Sequence, residues 1–244
     1  MTSATGEQFV LTHKAPFGGL SATITQVGAA LRLFSVNGID LVEPYSEDAK
    51  APLCAGQIMT PWVNRLDRGQ WKYKGELLQN PITIVEQDNA NHGLLLDHAY
   101  ELVAQTESSV VLRGVIKPTA GYPFEVSTTV GYELTDSGLV VTHRAVNKSS
   151  EAAPYATGAH PYFKFGAVES ADLILTSDAQ TLTVVNPRQI PVAESATLGS
   201  AVDLRGGVRV GDQHIDEDFT NLPRDEHGNA HTYLRSEDGR GLDV

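Results

Sequence analysis

The sequence predicts an all-β protein, a sandwich or barrel of antiparallel strands. Short runs that alternate apolar and polar residues, such as Ala22–Val27, recur along the chain, as they do in half-buried strands. Turn signals follow one another about every 8–12 residues, which is the spacing of sandwiches and barrels rather than of βαβ units. No segment of more than about ten residues keeps a helical apolar period without an interrupting Gly or Pro. Together these observations favour β structure throughout.

Hairpins account for most of the predicted strands. One is centred on Asn37-Gly38, a dipeptide that accepts the positive φ angles required by a type I′ turn. Runs 173–176 and 182–185 are predicted to continue the meander. Segments 44–66 and 187–211 are predicted to be long connections, where binding residues usually lie on a β scaffold. The other predicted strand pairs are 71–73 with 77–78, 100–106 with 110–116, and 124–134 with 139–147.

Length and composition predict that residues 1–244 form a single domain. With 41% apolar and 20% charged residues, the chain can bury a sizeable core. Its net charge is −12, from 30 acidic and 18 basic residues. Nucleic acids and anionic membranes both require clustered Lys and Arg, so neither is expected as a partner. The acidic balance is compatible with a small neutral or cationic ligand.

Cysteine content and the N-terminal segment bear on the cellular compartment. Cys54 is the only cysteine of the sequence, so we expect neither an intrachain disulfide nor a thiolate metal site. Residues 1–7 lack the basic and apolar segments of a secretory signal, and no apolar run approaches the ~18 residues of a membrane-spanning helix. By elimination we expect a cytoplasmic protein. The sequence does not predict an oligomeric state.

Motifs for nucleotide, zinc-protease and serine-hydrolase chemistry are missing from the sequence. It has no G-x-x-x-x-G-K-[ST], no G-x-G-x-x-G after a strand, no H-E-x-x-H and no G-x-S-x-G. One metal hypothesis stays open. His214, Asp216 and Asp218 alternate and would share one face of a strand, although a solvated acidic strand end is the simpler explanation of the pattern.

Two histidines are candidate functional residues. His160 precedes Pro161, which biases it towards extended backbone geometry, and two aromatic residues follow. His92 lies between a polar stretch and an apolar run, a boundary where a hydrogen-bonded structural histidine is also expected. Taken singly, each histidine is compatible with a structural or a catalytic role.

Asn64 and Arg65 form a third candidate, two residues after Trp62. Sugars present rows of hydroxyls that need planar donors and acceptors, together with C–H faces that lie on aromatic rings. The Asn-Arg pair beside a Trp therefore suits a sugar site, although Arg65 could equally be a surface charge.

Taken in order, these segments resemble the aldose 1-epimerase (galactose mutarotase) family, and its bacterial branch in particular. The matching segments are Thr60–Leu66 (the Asn-Arg motif), Gly69–Trp71 with Gly75 (a glycine-aromatic hairpin), Asn91–Gly93 and Ala159–Phe163 (the two histidine motifs), and Asp216–Phe219 (the D-x-x-F motif). The resemblance runs from about residue 9 to the last residue. Each motif is short, but together and in the right order they make the resemblance specific.

The resemblance implies a large antiparallel β-sandwich of the galactose mutarotase type and a cofactor-free reaction on a small sugar. The implied reaction interconverts the α and β anomers of an aldohexose of the glucose or galactose type. A carboxylate base takes the O1 proton while a histidine protonates the ring oxygen. The ring opens, the C1–C2 bond turns, and the ring closes to the other anomer.

Site residues follow from the resemblance by position. His160 takes the role of general acid, which suits an imidazole because it titrates at about pH 6.5. His92 is implied to hold the ring oxygen or a neighbouring hydroxyl. Arg65 and Asp216 are implied to bind ring hydroxyls, and Asn64 supports Arg65.

One part of the family pattern has no counterpart here. The base of the family is a glutamate near the C-terminus, commonly followed by Pro, whereas the only Glu-Pro of this sequence is Glu43-Pro44. Glu226 and Glu237 lie in turn-like segments. We therefore expect a C-terminally incomplete chain that lacks the base and the closing strands of the sandwich, and impaired mutarotation as a result.

Two alternatives within the fold stay open. A non-catalytic carbohydrate-binding protein would keep the sugar site without turnover. A hexose-6-phosphate 1-epimerase would need a basic cluster near the cleft. The candidate residues for such a cluster are Arg65, Arg68, Lys72 and Lys74.

Overall fold

The structure is a computed structural model that describes residues 3–244, so Met1 and Thr2 of the N-terminal segment considered above lie outside it. The described residues form 21 strands and four short 3₁₀-helices, which confirms the all-β prediction. The paired strands are antiparallel throughout. No helix among the described residues is long and apolar enough to cross a membrane.

The chain divides into two compact units, Met1–Phe163 and Lys164–Val244, and each is described by itself. The single domain expected over residues 1–244 stays a prediction.

Unit 1 contains fourteen strands. They are β1 (Gln8–Ala15), β2 (Gly18–Thr25), β3 (Leu31–Val36), β4 (Ile39–Asp40), β5 (Ile58–Met59), β6 (Arg65–Asp67), β7 (Gln70–Tyr73), β8 (Glu76–Gln79), β9 (Asn89–Asn91), β10 (Glu101–Gln105), β11 (Ser109–Ile116), β12 (Val126–Thr135), β13 (Gly138–Asn147) and β14 (Gly158–Ala159). Short 3₁₀-helices cover Pro52–Cys54 and Val85–Gln87. The strands form two four-stranded sheets, β1-β2-β3-β4 and β10-β11-β12-β13, and three ribbons, β14-β5, β6-β9 and β7-β8.

The core of unit 1 lies between its two larger sheets, where β1 and β2 pack against β11 and β12. Burial alternates along β11 and β12, so one face of each strand is buried and the other is not. Tyr132 is fully buried in this core, and its hydroxyl donates a 2.7 Å hydrogen bond to the carbonyl of Ala29. A buried tyrosine needs such a partner for its polar tip.

The predicted hairpins of unit 1 form. Asn37 and Gly38 have φ angles of 53° and 76°, as a type I′ turn requires. The pair β7-β8 turns through Lys74 and Gly75, again with positive φ at both positions. The predicted pairs β10-β11 and β12-β13 form, and β11 also pairs with β12. Segment 44–66 is mainly a connection but contains β5 and the start of β6.

Unit 2 contains two sheets, β18-β15-β20-β21 and β17-β16-β19. Its strands are β15 (Ile174–Ser177), β16 (Thr181–Val185), β17 (Pro191–Ala196), β18 (Val208–Arg209), β19 (Phe219–Thr220), β20 (Thr232–Arg235) and β21 (Gly241–Asp243). Short 3₁₀-helices cover Ser170–Asp172 and Val210–Asp212.

Two predictions for unit 2 were wrong. Runs 173–176 and 182–185 form β15 and β16, but these strands lie in different sheets. β15 pairs with β18 and β20, whereas β16 pairs with β17 and β19. Segment 187–211 is not only a connection, because it includes the six-residue β17. Every residue of β17 is exposed, so it has no apolar alternation by which a strand could be detected.

Candidate functional site

The Asn-Arg motif and the first histidine motif are joined by main-chain hydrogen bonds. Arg65 on β6 pairs with Asn91 on β9. The amide of His92 donates to the carbonyl of Asn64 at 3.0 Å, and the amide of Leu94 donates to the carbonyl of Thr60 at 2.7 Å. These main-chain hydrogen bonds therefore hold segments 60–65 and 91–94 side by side.

Gly93 allows the close approach of these two segments. It has a φ of +81°, and a Cβ atom at this position would lie 2.0 Å from the carbonyl oxygen of Thr60. Asn64 and His92 also have left-handed φ angles, 57° and 58°, which Asn and His adopt more readily than most residues. Such conformations cost on the order of 1–3 kcal/mol and concentrate at functional sites.

His160 is placed by the short ribbon β14-β5. Its amide donates to the carbonyl of Gln57 at 3.1 Å, and its carbonyl accepts a 2.8 Å hydrogen bond from the amide of Gly56. The side chain of Gln57 is buried and donates to the carbonyl of Leu96 at 2.7 Å. The buried side chain of Gln57 thus fixes segment 56–57, and the backbone of His160 is hydrogen-bonded to this segment.

The two predicted catalytic histidines are in contact. The rings of His92 and His160 meet edge to face, with centroids 5.4 Å apart and an interplanar angle of 77°. Tyr162 also lies against His160, at a centroid distance of 5.3 Å, and its side chain is exposed. Two imidazoles and a phenol ring therefore come together at one place on unit 1.

His92 is held in a neutral state by its surroundings. The amide of Asn64 donates a 3.1 Å hydrogen bond to Nδ1 of His92. Burial, followed by the nearby His160 and Arg65, lowers the pKa of His92 from 6.5 to about 4. With Nδ1 acting as an acceptor, the proton of the neutral ring lies on Nε2, which can donate to a ligand.

Arg65 is half-buried and held by two neutral amide oxygens. Its Nη1 donates to Oδ1 of Asn64 at 2.7 Å. Its Nε donates to Oε1 of Gln87 at 2.9 Å. Gln87 was missed in the sequence because no motif marks it; its only signal is a position five residues before His92.

Three buried polar atoms near these motifs have no hydrogen-bond partner among residues 3–244. They are Oγ1 of Thr60, Nε1 of Trp62 and Oδ1 of Asn91. Buried polar groups in folded proteins are nearly always paired, so such a group requires an explanation. Each of the three lies within the two segments that carry Arg65 and His92.

The remaining candidates lie elsewhere. Asp216 belongs to unit 2, where it is exposed, and its role in sugar binding stays a prediction. No group of three or more His, Cys, Asp or Glu side chains in the described part of the chain could hold a metal ion. In the basic cluster considered for a phosphate, Lys74 pairs with Glu151 at 2.8 Å and Arg68 with Asp88 at 3.7 Å.

The all-β fold brings the two histidine motifs and the Asn-Arg motif together in unit 1. The family model of aldose 1-epimerases matches residues 9–242, and the chain belongs to this family. Among curated relatives, it is 36% identical over 146 residues to the uncharacterized protein YihR of Escherichia coli (strain K12), covering 59% of this chain and 47% of that one. It is 24% identical over 156 residues to the uncharacterized protein YphB of the same strain, covering 64% and 51%.

Solved structures agree with the family at the level of the fold. The GalM/aldose epimerase homologue from C. elegans has a TM-score of 0.82 at 20% identity, covering 96% of this chain and 77% of that one. The galactose 1-epimerase from Lactobacillus acidophilus NCFM has a TM-score of 0.77 at 22% identity, covering 92% and 72%. The galactose mutarotase-like fold is therefore established. The chain spans about half the length of the curated relatives that it matches.

Proposed function

We propose that this chain interconverts the α and β anomers of a neutral aldohexose, with His160 as the general acid. The observation that carries the proposal is the edge-to-face contact of His160 with His92, beside a fixed Arg65. Opening a pyranose ring requires an acid at the ring oxygen, and a neutral donor and a cation beside that acid can hold the ring hydroxyls in place.

The proton transfers follow from these roles. His160 gives a proton to the ring oxygen as the bond from C1 to that oxygen breaks. The O1 hydroxyl loses its proton to a carboxylate base, and the open-chain aldehyde forms. After rotation about C1–C2, both transfers reverse and the ring closes to the other anomer. No residue of this chain is assigned as the base.

The neighbouring residues bind rather than react. His92 donates its Nε2 proton to the ring oxygen or an adjacent hydroxyl, because its Nδ1 already accepts from the amide of Asn64. Arg65 donates to ring hydroxyls, with Asn64 holding its guanidinium. Asp216 is proposed to accept from a further hydroxyl, as the family resemblance implies.

A neutral sugar is favoured over a phosphorylated one by the pairing of the basic residues. Lys74 and Arg68 each have a carboxylate partner, Glu151 and Asp88 respectively. Binding a phosphate there would require these ion pairs to be exchanged. A hexose-6-phosphate is therefore the less favoured substrate.

The test combines equilibrium binding with anomer exchange. Binding of D-glucose and D-galactose is followed by NMR titration, and exchange by polarimetry on freshly dissolved α-anomer, for the wild type and for His160→Gln. We expect both proteins to bind sugar and the protein-dependent exchange to fall roughly a hundredfold or more in His160→Gln, since a general acid contributes about 10²–10⁴ in rate. Added acetate provides an external base and should raise the exchange of the wild type more than that of the variant.

The outcomes separate the alternatives. Sugar binding without any exchange that depends on His160, even with acetate present, would favour a carbohydrate-binding protein. Tighter binding of glucose 6-phosphate than of glucose would favour the phosphorylated substrate. A wild-type chain that binds no sugar at all contradicts the proposal.

A further inference from the structure

We propose that Gln87 is a positioning residue, which holds the guanidinium of Arg65 in the orientation that meets the sugar. The role of Arg65 as a sugar ligand rests on the proposed function. The orientation itself is a property of the free protein. It can therefore be tested with or without sugar.

The geometry of the guanidinium makes the second contact decisive. The group is a planar fork of five N–H donors in fixed directions. One contact, from Nη1 to Asn64, leaves the plane free to turn about that bond. The second contact, from Nε to Gln87 at 2.9 Å, lies on a different nitrogen and fixes the plane. The other N–H groups, one on Nη1 and two on Nη2, then point in fixed directions.

Gln87 is itself held in place by a closed loop. Its 3₁₀-helix, Val85–Gln87, lies between Ile84 and Asn89, which exchange two backbone hydrogen bonds of 2.9 and 3.1 Å. Asp88 turns the chain with a φ of 53°. The next strand, β9, pairs with β6, and this pairing brings the loop beside Arg65.

The chemistry of the two partners matches a positioning role. Asn64 and Gln87 both offer neutral amide oxygens to Arg65. They order the guanidinium without cancelling its charge, as a carboxylate would. An arginine that is ordered before the ligand arrives loses less conformational freedom on binding, which favours affinity. The same charge contributes to the lowered pKa of His92.

Three variants test the inference. Gln87→Ala removes the acceptor for Nε of Arg65, whereas Gln87→Glu keeps an acceptor at the same reach. Gln70→Ala is the matched control, because Gln70 makes an exposed side-chain hydrogen bond of 2.9 Å to another glutamine, Gln79. All three changes affect half-buried side chains of unit 1.

The first measurement needs no sugar. The ¹⁵Nε–Hε signal of Arg65 should show an ordered side chain in the wild type and a mobile one in Gln87→Ala. Order should return in Gln87→Glu and be unaffected in Gln70→Ala. Equal melting temperatures of the two alanine variants would exclude a purely structural role for Gln87. If the Arg65 signal in Gln87→Ala is as ordered as in the wild type, the inference is wrong.

The second measurement is sugar affinity. Ordering one long side chain in advance is worth roughly a three- to tenfold change in the dissociation constant, so Gln87→Ala should bind about that much more weakly. The exchange rate at saturating sugar should stay within about twofold, because Gln87 acts through Arg65 and not on the reacting atoms. An unchanged dissociation constant with a mobile Arg65 would also overturn the inference. A wild type that binds no sugar would contradict the proposed function instead, and the Arg65 signal would still decide the role of Gln87.

Discussion

The backbone amide of Asn64 donates a 3.1 Å hydrogen bond to Nδ1 of His92. An amide N–H can only donate, so Nδ1 must carry a lone pair and the ring proton must lie on Nε2. Asn64 reaches this position through a left-handed backbone conformation, φ 57°. The main chain of the Asn-Arg motif thus sets the tautomer of His92. This tautomer can be measured directly.

His92 should remain neutral, as the Nε2–H tautomer, from pH 8 down to about pH 5. Its pKa is about 4 in the folded chain and about 6.5 when unfolded, mainly because burial opposes the charge. The unfolded state therefore takes up the proton first, and stability falls as the pH drops from about 6.5 towards 4. Nitrogen-15 NMR of the imidazole checks both the tautomer and the midpoint. In His92→Gln this contribution to acid instability should disappear; a midpoint near 6.5 in the wild type would contradict the assignment.

His231 in unit 2 should titrate in the opposite direction. Its Nδ1 lies 2.9 Å from Asp243 and its Nε2 lies 3.2 Å from Asp225, and the two carboxylates raise the pKa of His231 above 6.5. Protonated His231 stabilises the fold, so its contribution is complete below about pH 6.5 and is lost as the pH rises through the folded-state pKa. The NMR midpoint of the wild type should shift down towards 6.5 in Asp243→Asn. If the midpoint is unchanged in that variant, Asp243 is not the cause.

Gly93→Ala should destabilise unit 1 by about 3 kcal/mol or more, because the new methyl group meets the carbonyl of Thr60 and the φ is +81°. Gly75→Ala is the control, with a similar φ of +88° but no atom within 4 Å of the added carbon. Gly75→Ala should lower the free energy of unfolding by only about 1 kcal/mol, the cost of placing a residue with a Cβ at a positive φ. Urea denaturation measures both. Equal losses of unfolding free energy in the two variants would mean that Gly93 is required for its positive φ and not for its close approach to Thr60.

Tyr132→Phe should cost about 1–2 kcal/mol, because it leaves the buried carbonyl of Ala29 without the 2.7 Å hydrogen bond from the tyrosine. Tyr100→Phe is its counterpart, since Tyr100 is equally buried and its hydroxyl has no hydrogen-bond partner in the described chain. That change should be neutral or stabilising. Chemical denaturation of the two variants compares them directly, and a larger loss for Tyr100→Phe would reverse the interpretation.

Local sequence predicted the elements whose partners are adjacent in the chain. Asn37-Gly38 marked a turn because both of its residues accept positive φ, and the two strands beside it pair with each other. The same logic failed for β15 and β16, which lie close in sequence but pair with β20 and β19 respectively. Alternation shows that a strand has a buried face; it carries no information about which strand covers its edge.

Sequence patterns also singled out Asn64, Arg65, His92 and His160, because their residue types and order matched a sugar-epimerase pattern. The tertiary structure brought His92 and His160 into ring contact although they are 68 positions apart in the chain. It also added Gln87, a residue in no motif.

The sequence by itself determined the all-β class, the local hairpins and the family, since each depends on the period, turn chemistry or order of residues along the chain. Only the tertiary structure decided which strands share a sheet, which nitrogen of His92 carries the proton and what holds Arg65. The physical reason is that hydrogen bonds such as that from Asn64 to His92 depend on distances in space between residues remote in sequence.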